Sequence, residues 1–192
     1  TYNRPDLLIR AIRSVKEQTY KNIEIVVVND AGKEVSEIVN FFSEDLNIVY
    51  IRYGQNRKHA GARNVALRVA RGDIICYLDD DDVFLPEHVE RVVDELLRAP
   101  EAKFVYTKAV YVIESYGRGQ PHEVDRTDPH GESFYSKERL HVCNYIPINT
   151  WGHWKHVIDE VGFFDESLDT FEDWDFLLRC SRSFDLVHIP VV

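Results

Sequence analysis

The stretch that decides the fold is IICYLDDDD, residues 74–82, in which a short apolar run leads directly into four adjacent aspartates. Residues 74–78 are strand-sized and almost unbroken in hydrophobicity, which is typical of a strand buried on both faces of a sheet. In open sheets of parallel strands, ligands bind beyond the carboxyl ends of the strands. We therefore expect a buried strand whose end presents the carboxylates of residues 79–82 to a binding cleft.

Strand and helix signals alternate through the first half of the sequence. Residues 23–28 and 48–52 are β-branched apolar runs, and the first ends in the turn sequence NDAG at residues 29–32. Four further segments have apolar residues at helical spacing; they begin at Pro5, Val35, Ala62 and Pro86. Alternating βα units predict an α/β fold, with a Rossmann-like, mostly parallel sheet covered by helices on both faces.

The second half of the chain is less regular. Residues 104–113 alternate as one long strand or a strand pair would, and residues 173–181 have helical spacing. Residues 115–136 are rich in Gly, Pro, His and charge, which predicts a long loop. We expect residues 1–192 to form a single domain. The chain has no Met and stops in an apolar run, so we expect both ends to be truncated, with a strand before Thr1.

Composition excludes several classes of partner. The formal net charge of -10 argues against nucleic acid, because phosphate backbones select basic faces. A phosphorylated small molecule remains compatible with an acidic protein if a metal ion supplies positive charge. No apolar stretch approaches the roughly 20 residues that cross a bilayer, so we expect no membrane span in this segment.

The cysteines indicate a reducing environment. Cys76, Cys143 and Cys180 are odd in number and widely spaced, which suggests neither a zinc site nor a disulfide framework. The first and last lie in apolar surroundings and read as core residues. We expect a cytoplasmic location, with a peripheral position at the inner face of the membrane as the alternative.

The acidic run itself suggests a metal site. Strand alternation would place Asp79 and Asp81 on one face and Asp80 on the other. Four neighbouring carboxylates repel one another in a partly buried site, and a hard cation relieves that repulsion. Mg²⁺ takes one or two carboxylates together with waters and substrate phosphates, and Mn²⁺ suits the same ligands. The alternative is a solvated acidic turn without a ligand.

Six motifs in this order resemble those of the family-2 glycosyltransferases, which have the GT-A fold. They are TYNR at 1–4, VNDAG at 28–32, ARN at 62–64, YLDDDD at 77–82, VGFFDE at 161–166 and FEDWD at 171–175. The resemblance implies metal-dependent, inverting transfer of a sugar from a nucleoside-diphosphate-sugar donor to a saccharide, lipid-linked or protein acceptor. It also implies that residues 1–103 bind the donor and residues 104–192 provide the acceptor side and the catalytic base.

The resemblance also assigns roles to residues on the donor side. Tyr2 would pack on the donor base, and Asp30 would accept a base N–H. Asp79 or Asp80 would bind the ribose, and Asp81 would bind the metal that bridges the diphosphate. Arg63 would either neutralise phosphate or pair with a nearby carboxylate.

Two positions depart from the family pattern. Asn29 stands where Asp is common, which removes a charge but keeps an acceptor. Lys58 stands where Gly commonly occurs, and we expect Gly61 to supply the lost flexibility instead.

On the acceptor side, the resemblance places the catalytic base at Asp173. Glu172 and Asp175 would be orienting or helix-capping groups, and Asp173 itself could cap the helix that follows. Trp151 is a candidate for stacking on the acceptor sugar. Trp174 is expected to pack in the core, and His153 and His156 are expected on the surface.

Two other classes of function compete with this interpretation. A haloacid-dehalogenase-like phosphohydrolase would use Asp79 as its nucleophile and Asp81 as acid/base, but that motif belongs on a first strand. A non-catalytic nucleotide-sugar-binding domain would need neither acidic site to be intact.

Overall fold

The computed structural model describes residues 1–99, 101–115, 122–127 and 134–192. Helices pack against β-sheets throughout these residues, which confirms the α/β prediction. The elements of the first half are α1 (Pro5–Lys16), β1 (Glu24–Asn29), α2 (Ser36–Ser43), β2 (Asn47–Arg52), α3 (Lys58–Val69), β3 (Ile74–Cys76) and α4 (His88–Arg98). The second half contains β4 (Phe104–Tyr106), β5 (Tyr111–Ser115), β6 (His122–Thr127), α5 (Lys137–Leu140), β7 (Trp151–Trp154), α6 (Val157–Val161), α7 (Glu172–Ser183) and β8 (Val187–His188).

The first half is a βα layer in which β1 and β2 pair in parallel, from Glu24 opposite Asn47 to Asn29 opposite Arg52. Helices α1 and α2 bury apolar side chains against these strands, because apolar residues recur every three or four positions along each helix. Their shared core consists of Leu8, Ile12, Val27, Val35, Val39 and Phe42. This packing holds the carboxyl end of β1, and the turn that follows it, in a defined position.

The second sheet has the strand order β3-β7-β4-β8. Strand β7 is antiparallel to both β3 and β4, whereas β4 and β8 are parallel. The parallel pairing expected from the βα pattern is found for β1 with β2 and for β4 with β8, whereas β3 pairs with a strand of opposite direction from the second half. Trp151 of β7, Phe104 of β4 and Phe176 of α7 are fully buried and belong to one hydrophobic core.

Three local predictions need correction. Strand β3 ends at Cys76, and residues 79–82 form a turn closed by a 3.1 Å bond from Asp82 N to Asp79 O, so strand alternation does not decide which way the aspartates point. Residues 104–113 contain two separate strands, β4 and the start of β5. Strand β6, which pairs with β5, lies inside the segment expected to be a loop.

The reason that β6 escaped prediction is its composition. Residues 122–127, HEVDRT, contain a single apolar residue, so the sequence carries no alternation of apolar and polar positions. Glu123, Asp125, Arg126 and Thr127 are all exposed. The rest of the expected loop, residues 116–121 and 128–133, lies outside the described residues.

A cleft of about 1140 Å³ separates β1 from β3. Its walls are apolar where Val26, Ile74 and Val93 line it, and polar at the end where β1 and β3 terminate. Thr1 extends the ladder of β1, since its ammonium donates to Val28 O at 2.7 Å and its carbonyl accepts from Asp30 N at 3.0 Å. The first residues of the chain are thereby fixed at the polar end of the cleft.

Among the described residues, no helix combines the length and the apolar character that crossing a bilayer requires.

The contact between β7 and α4 provides a test of the packing. A Cβ atom added at Gly152 would lie 2.0 Å from Val92 Cγ1 and 3.1 Å from Val92 Cβ. We expect Gly152→Ala to lower the free energy of unfolding by about 1–3 kcal/mol, because overpacking forces the sheet and the helix apart. Urea denaturation would measure this change.

Gly54→Ala is the matched control, because nothing lies within 4 Å of the added Cβ and the backbone φ is not positive. Equal loss of stability in the two variants would show that the close approach of Gly152 to α4 is not what the substitution disturbs.

Candidate functional site

The candidate site lies at the polar end of the cleft, where loops that follow β1 and β3 meet the start of α3. Side chains from distant parts of the chain line it: Tyr2, Arg4, Asp30, Lys58, His59, Arg63, Asp79, Asp80 and Asp169. Asp81 joins this set through its ion pair with Arg4, and Glu172 joins it through Arg63. The structure therefore brings together most of the residues that the sequence singled out.

The turn after β1 is built around Asn29. Its side-chain oxygen accepts from Gly32 N at 2.8 Å, while its Nδ2 donates to Lys33 O at 2.7 Å and to Tyr50 OH at 3.1 Å. The neutral amide both donates and accepts, which an ionised carboxylate at this position could not do. Asn29 is fully buried and serves the turn, so the departure from the family's Asp has a structural explanation.

Asp30 and Tyr2 lie at the wall of the cleft that this turn forms. The Asp30 carboxylate is 5% exposed, and its Oδ1 accepts from Arg57 N at 2.7 Å. Tyr2 is 49% exposed, so its ring is available for contact with a ligand. A Cβ at Gly32 would lie 2.7 Å from Asn3 N, so glycine is what allows the first loop to approach the turn.

Arg63 connects the two acidic motifs. Its Nη1 donates to Glu172 Oε1 at 2.6 Å, and its Nη2 donates to both oxygens of Asp79 at 3.0 and 3.1 Å. The arginine side chain is only 11% exposed, and the ring of Phe164 lies under its guanidinium. Of the two roles expected for Arg63, the structure supports pairing with carboxylates.

Glu172 is a buried carboxylate with two cationic neighbours. Burial by itself raises its pKa, but His59 and Arg63 lower it, and the net pKa is about 2. The His59 Nδ1 lies 3.6 Å from Glu172 Oε1, which is an ion-pair distance rather than a hydrogen bond. Glu172 in turn raises the pKa of His59. The Glu172 carboxylate is therefore ionised at neutral pH, and its Oε1 is already contacted by Arg63 and His59.

An arginine from the first loop contacts two aspartates of the acidic turn. Arg4 Nη2 lies 2.6 Å from Asp80 Oδ1, and Arg4 Nη1 donates to Asp81 Oδ2 at 2.8 Å. The first contact lacks hydrogen-bond geometry, so both oxygens of the buried Asp80 are without a hydrogen-bond donor among the described residues. Asp81 is half exposed, with 50% of its side chain accessible.

Asp82, the last residue of the acidic turn, has a raised pKa. Burial, followed by the charges of Asp79, Asp81 and Asp80, raises the pKa of Asp82 to about 6. Within the described part of the chain, no group of three or more His, Cys, Asp or Glu side chains is arranged as a complete metal cage. Because Mg²⁺ and Mn²⁺ need only one or two carboxylates beside substrate phosphates, the oxygens of Asp80 and Asp81 fit such a cation.

Asp173 lies in the first turn of α7. Its Oδ1 accepts from Trp174 N at 2.7 Å, and its Oδ2 accepts from Asn144 Nδ2 at 3.1 Å. The residue that precedes the helix is Phe171, in a left-handed conformation and without a side-chain cap, so Asp173 is not the N-cap residue. In contrast to Glu172, Asp173 has no cationic partner at hydrogen-bond distance among the described residues.

The predictions for Trp151 and His153 are wrong. Trp151 is 0% exposed, and its indole N–H donates to Ile146 O at 3.1 Å, so it cannot stack on an acceptor. His153 is also fully buried, where Tyr77 OH lies 2.8 Å from its Nε2, and burial lowers its pKa to about 4. Both side chains belong to β7, whose strand position the sequence did not reveal.

Lys58 and Gly61 also differ from expectation. Lys58 itself adopts the left-handed φ of 61°, whereas Gly61 lies inside α3 without a positive φ. A Cβ at Gly61 would lie 2.5 Å from Arg57 Cβ, so this glycine provides space rather than flexibility. Asn56 supports the unusual conformation of Lys58 by accepting its backbone N–H at 3.1 Å.

Sequence reasoning gave no role of their own to Arg4, His59 and Asn64. Asn64 donates to Phe164 O and accepts from Phe164 N, both at 2.9 Å, which ties α3 to the loop before α7. The signal was present for Asn64 and Arg4, since each lies within a motif of the family. Nothing in the sequence distinguished His59 from an ordinary surface histidine.

Comparison with known proteins gives a consistent result. The model of Glycosyl transferase family 2 matches residues 1–159. Uncharacterized glycosyltransferase YwdF of Bacillus subtilis (strain 168) is 33% identical over 190 residues, covering 99% of this chain and 69% of that protein. An uncharacterized glycosyltransferase of Haemophilus influenzae is 31% identical over 180 residues, covering 93% of this chain and 59% of that protein.

Two solved structures share the fold. Staphylococcus aureus TarS superimposes with a TM-score of 0.75 at 20% identity, covering 99% of this chain and 34% of TarS. The mannosyltransferase PcManGT of Pyrobaculum calidifontis, in complex with GDP-Man and Mn²⁺, has a TM-score of 0.71 at 17% identity and covers 99% of this chain and 52% of that protein. The present chain therefore spans only part of the proteins that it resembles.

The contacts of Glu172 with His59 and Arg63 make stability depend on pH. A carboxylate whose pKa is lowered on folding stabilises the folded state above its unfolded pKa of 4.5, and this contribution is lost as pH falls toward about 2. We expect Glu172→Gln to lower the free energy of unfolding at pH 7 by about 3 kcal/mol, because Arg63 loses a buried partner. The difference from the wild type should shrink between pH 4.5 and pH 2 in urea titrations.

Glu87→Gln is the control, since this exposed side chain forms an ion pair with the exposed side chain of Arg91. We expect it to change stability by no more than about 0.5 kcal/mol. A pH-independent deficit in Glu172→Gln would contradict the ionised state of Glu172.

Proposed function

Because this chain belongs to glycosyltransferase family 2, we propose that it transfers a sugar from a nucleoside-diphosphate-sugar donor to an acceptor hydroxyl, with inversion and with the help of Mn²⁺ or Mg²⁺. The observation that carries the proposal is the bridge through Arg63. This one guanidinium holds Asp79, from the acidic turn, beside Glu172, from the start of α7. The groups that we assign to the donor are thus joined, through one guanidinium, to the start of the helix that carries Asp173.

Residues 1–103 would bind the donor. The half-exposed ring of Tyr2 offers a face for the nucleobase, and Asp30 offers a carboxylate oxygen to a base N–H. Asp79 or Asp80 would accept hydrogen bonds from the ribose hydroxyls. The buried Asp80, whose oxygens lack hydrogen-bond donors among the described residues, has acceptor capacity left for such a contact.

Asp81, with help from Asp80, would hold the divalent cation. PcManGT, which shares the fold, was solved with both Mn²⁺ and GDP-Man, and this supports the same use of the cleft here. The chemistry that such a cation supplies is Lewis-acid stabilisation of the charge that develops on the leaving diphosphate.

Asp173 would act as the catalytic base. It takes the proton of the acceptor hydroxyl while the hydroxyl oxygen bonds to the anomeric carbon and the bond from that carbon to the diphosphate breaks. Glu172 is less suited to this role, because His59 and Arg63 lower its pKa to about 2, which makes it a weak base. Asn144 fixes the orientation of the Asp173 carboxylate through its 3.1 Å bond to Oδ2.

A phosphohydrolase mechanism has little support in this geometry. It would require Asp79 as a free nucleophile, but both of its oxygens accept hydrogen bonds from Arg63. The acidic run also follows the third strand of the chain rather than the first. No observation favours a domain that binds nucleotide sugars without catalysis.

The metal assignment can be tested by thermal shift. We expect UDP or GDP to stabilise the protein only when Mn²⁺ is present, by about 2.7 kcal/mol at a ligand concentration of 100 times the dissociation constant. Asp81→Ala should abolish this stabilisation because the cation loses its exposed carboxylate. Asp94→Ala, an exposed aspartate on α4, is the control that should keep it. Full stabilisation of Asp81→Ala would overturn the metal site.

The base can be tested separately from donor binding. We expect Asp173→Asn to lower kcat for release of UDP or GDP from a hexose donor by about 10²–10⁴-fold, while nucleotide affinity stays unchanged. The matched control is Asp175→Asn, which changes a carboxylate in the same helical turn whose partner is Arg179. It should retain kcat within about a factor of three. Equal losses in the two variants would remove Asp173 from its assigned role.

A further inference from the structure

Lys58 lies at the first position of α3, on the wall of the cleft that also carries Asp30, Asp79 and Asp80. Its φ of 61° is a conformation that non-glycine residues adopt only where the surroundings enforce it, and such residues cluster at ligand clamps. Here the enforcing contact is the bond from Lys58 N to Asn56 Oδ1. The chain thus places a long cationic side chain at a point where glycine would be easier to accommodate.

The cations that line the cleft differ in how firmly they are held. Arg63 is buried between Glu172 and Asp79, and Arg4 contacts two aspartates of the acidic turn. Arg71 is bound by Glu24 through both its backbone N–H and its guanidinium. Arg63 and Arg71 are therefore each held by a carboxylate whose side chain is no more than 10% exposed, whereas Arg4 contacts the aspartates that are assigned above to the divalent cation.

Lys58 has a weaker commitment. Its ammonium pairs with Asp169, a residue 111 positions away in the loop before α7. The lysine side chain is 59% exposed and the aspartate 79% exposed, so solvent screens their attraction. An anion that enters the cleft can therefore replace Asp169 as the partner of the Lys58 ammonium, with only a small loss of free energy.

Resting on the proposed function, we propose that Lys58 is a donor-binding residue that exchanges Asp169 for the diphosphate of the nucleotide sugar. The exchange supplies a positive charge to a ligand that carries about two negative ones, in a protein with a net charge of -10. Within the first turn of α3, no acidic residue opposes the same ligand. Asp169 then acts as a competitor that holds Lys58 until the donor arrives.

Isothermal titration of UDP and GDP in the presence of Mn²⁺ tests this exchange. We expect Lys58→Gln to weaken binding of the nucleoside diphosphate about tenfold, as loss of one charge-assisted contact does. Asp169→Asn should strengthen it about two- to fivefold, because the exposed ion pair no longer competes. Neither variant should change the affinity for uridine or guanosine, and Lys58→Arg should retain most of the binding.

The opposite signs of the two variants separate this proposal from a structural role. If the pair only braced the loop before α7, both variants would weaken binding together, and that result would overturn the proposal. Unchanged affinity of Lys58→Gln, beside clear binding by the wild type, would overturn it as well. Failure of the wild type to bind any nucleoside diphosphate would instead contradict the proposed function on which it rests.

Discussion

The site depends on one arginine that satisfies two carboxylates. Asp79 and Glu172 come from opposite halves of the chain, and without a shared cation their charges would repel one another in a partly buried place. Arg63 is suited to this task because its planar guanidinium presents several N–H groups at fixed angles. The ring of Phe164 beneath the guanidinium limits the orientations that it can adopt. The position of the cleft's acidic groups therefore follows from the position of one side chain on α3.

A second constraint is the imbalance of charge around the turn of residues 79–82. Arg4 approaches Asp80 and Asp81 but leaves the Asp80 oxygens without hydrogen bonds among the described residues, and Asp82 retains a raised pKa. If only stability were selected, we would expect a further lysine beside this turn or a neutral residue in place of one carboxylate. Buried acceptors without donors are uncommon in folded proteins, and where they occur they often mark a place that a ligand completes.

The features that the sequence predicted well are those with strong local signals. The β1 and β2 runs, the helix after Pro86 and the acidic run each combine periodicity with turn residues, and all were found close to the expected positions. The resemblance to a known family placed Arg63, Asp79 and Glu172 in one site, which no spacing rule could have done because they are separated by up to 109 positions. The identity of the contacts, in contrast, required coordinates.

The errors have physical causes that can be named. Trp151 was expected to stack on the acceptor sugar, yet it lies on β7, between β3 and β4, where its side chain is fully buried. The side chains of β6 that the structure describes are polar and exposed, and the strand lacks the alternation on which strand prediction relies. Lys58 shows a further limit, since the left-handed conformation is imposed by Asn56 and is invisible in the residue type.

The bond pattern of Asn64 has a mechanical consequence. Its amide pairs with both backbone groups of Phe164, while the preceding residue on the same helical turn grips Glu172. Helix α3 therefore contacts the acidic turn through Arg63 and the loop before α7 through Asn64. A displacement of this helix would move both segments in the same direction.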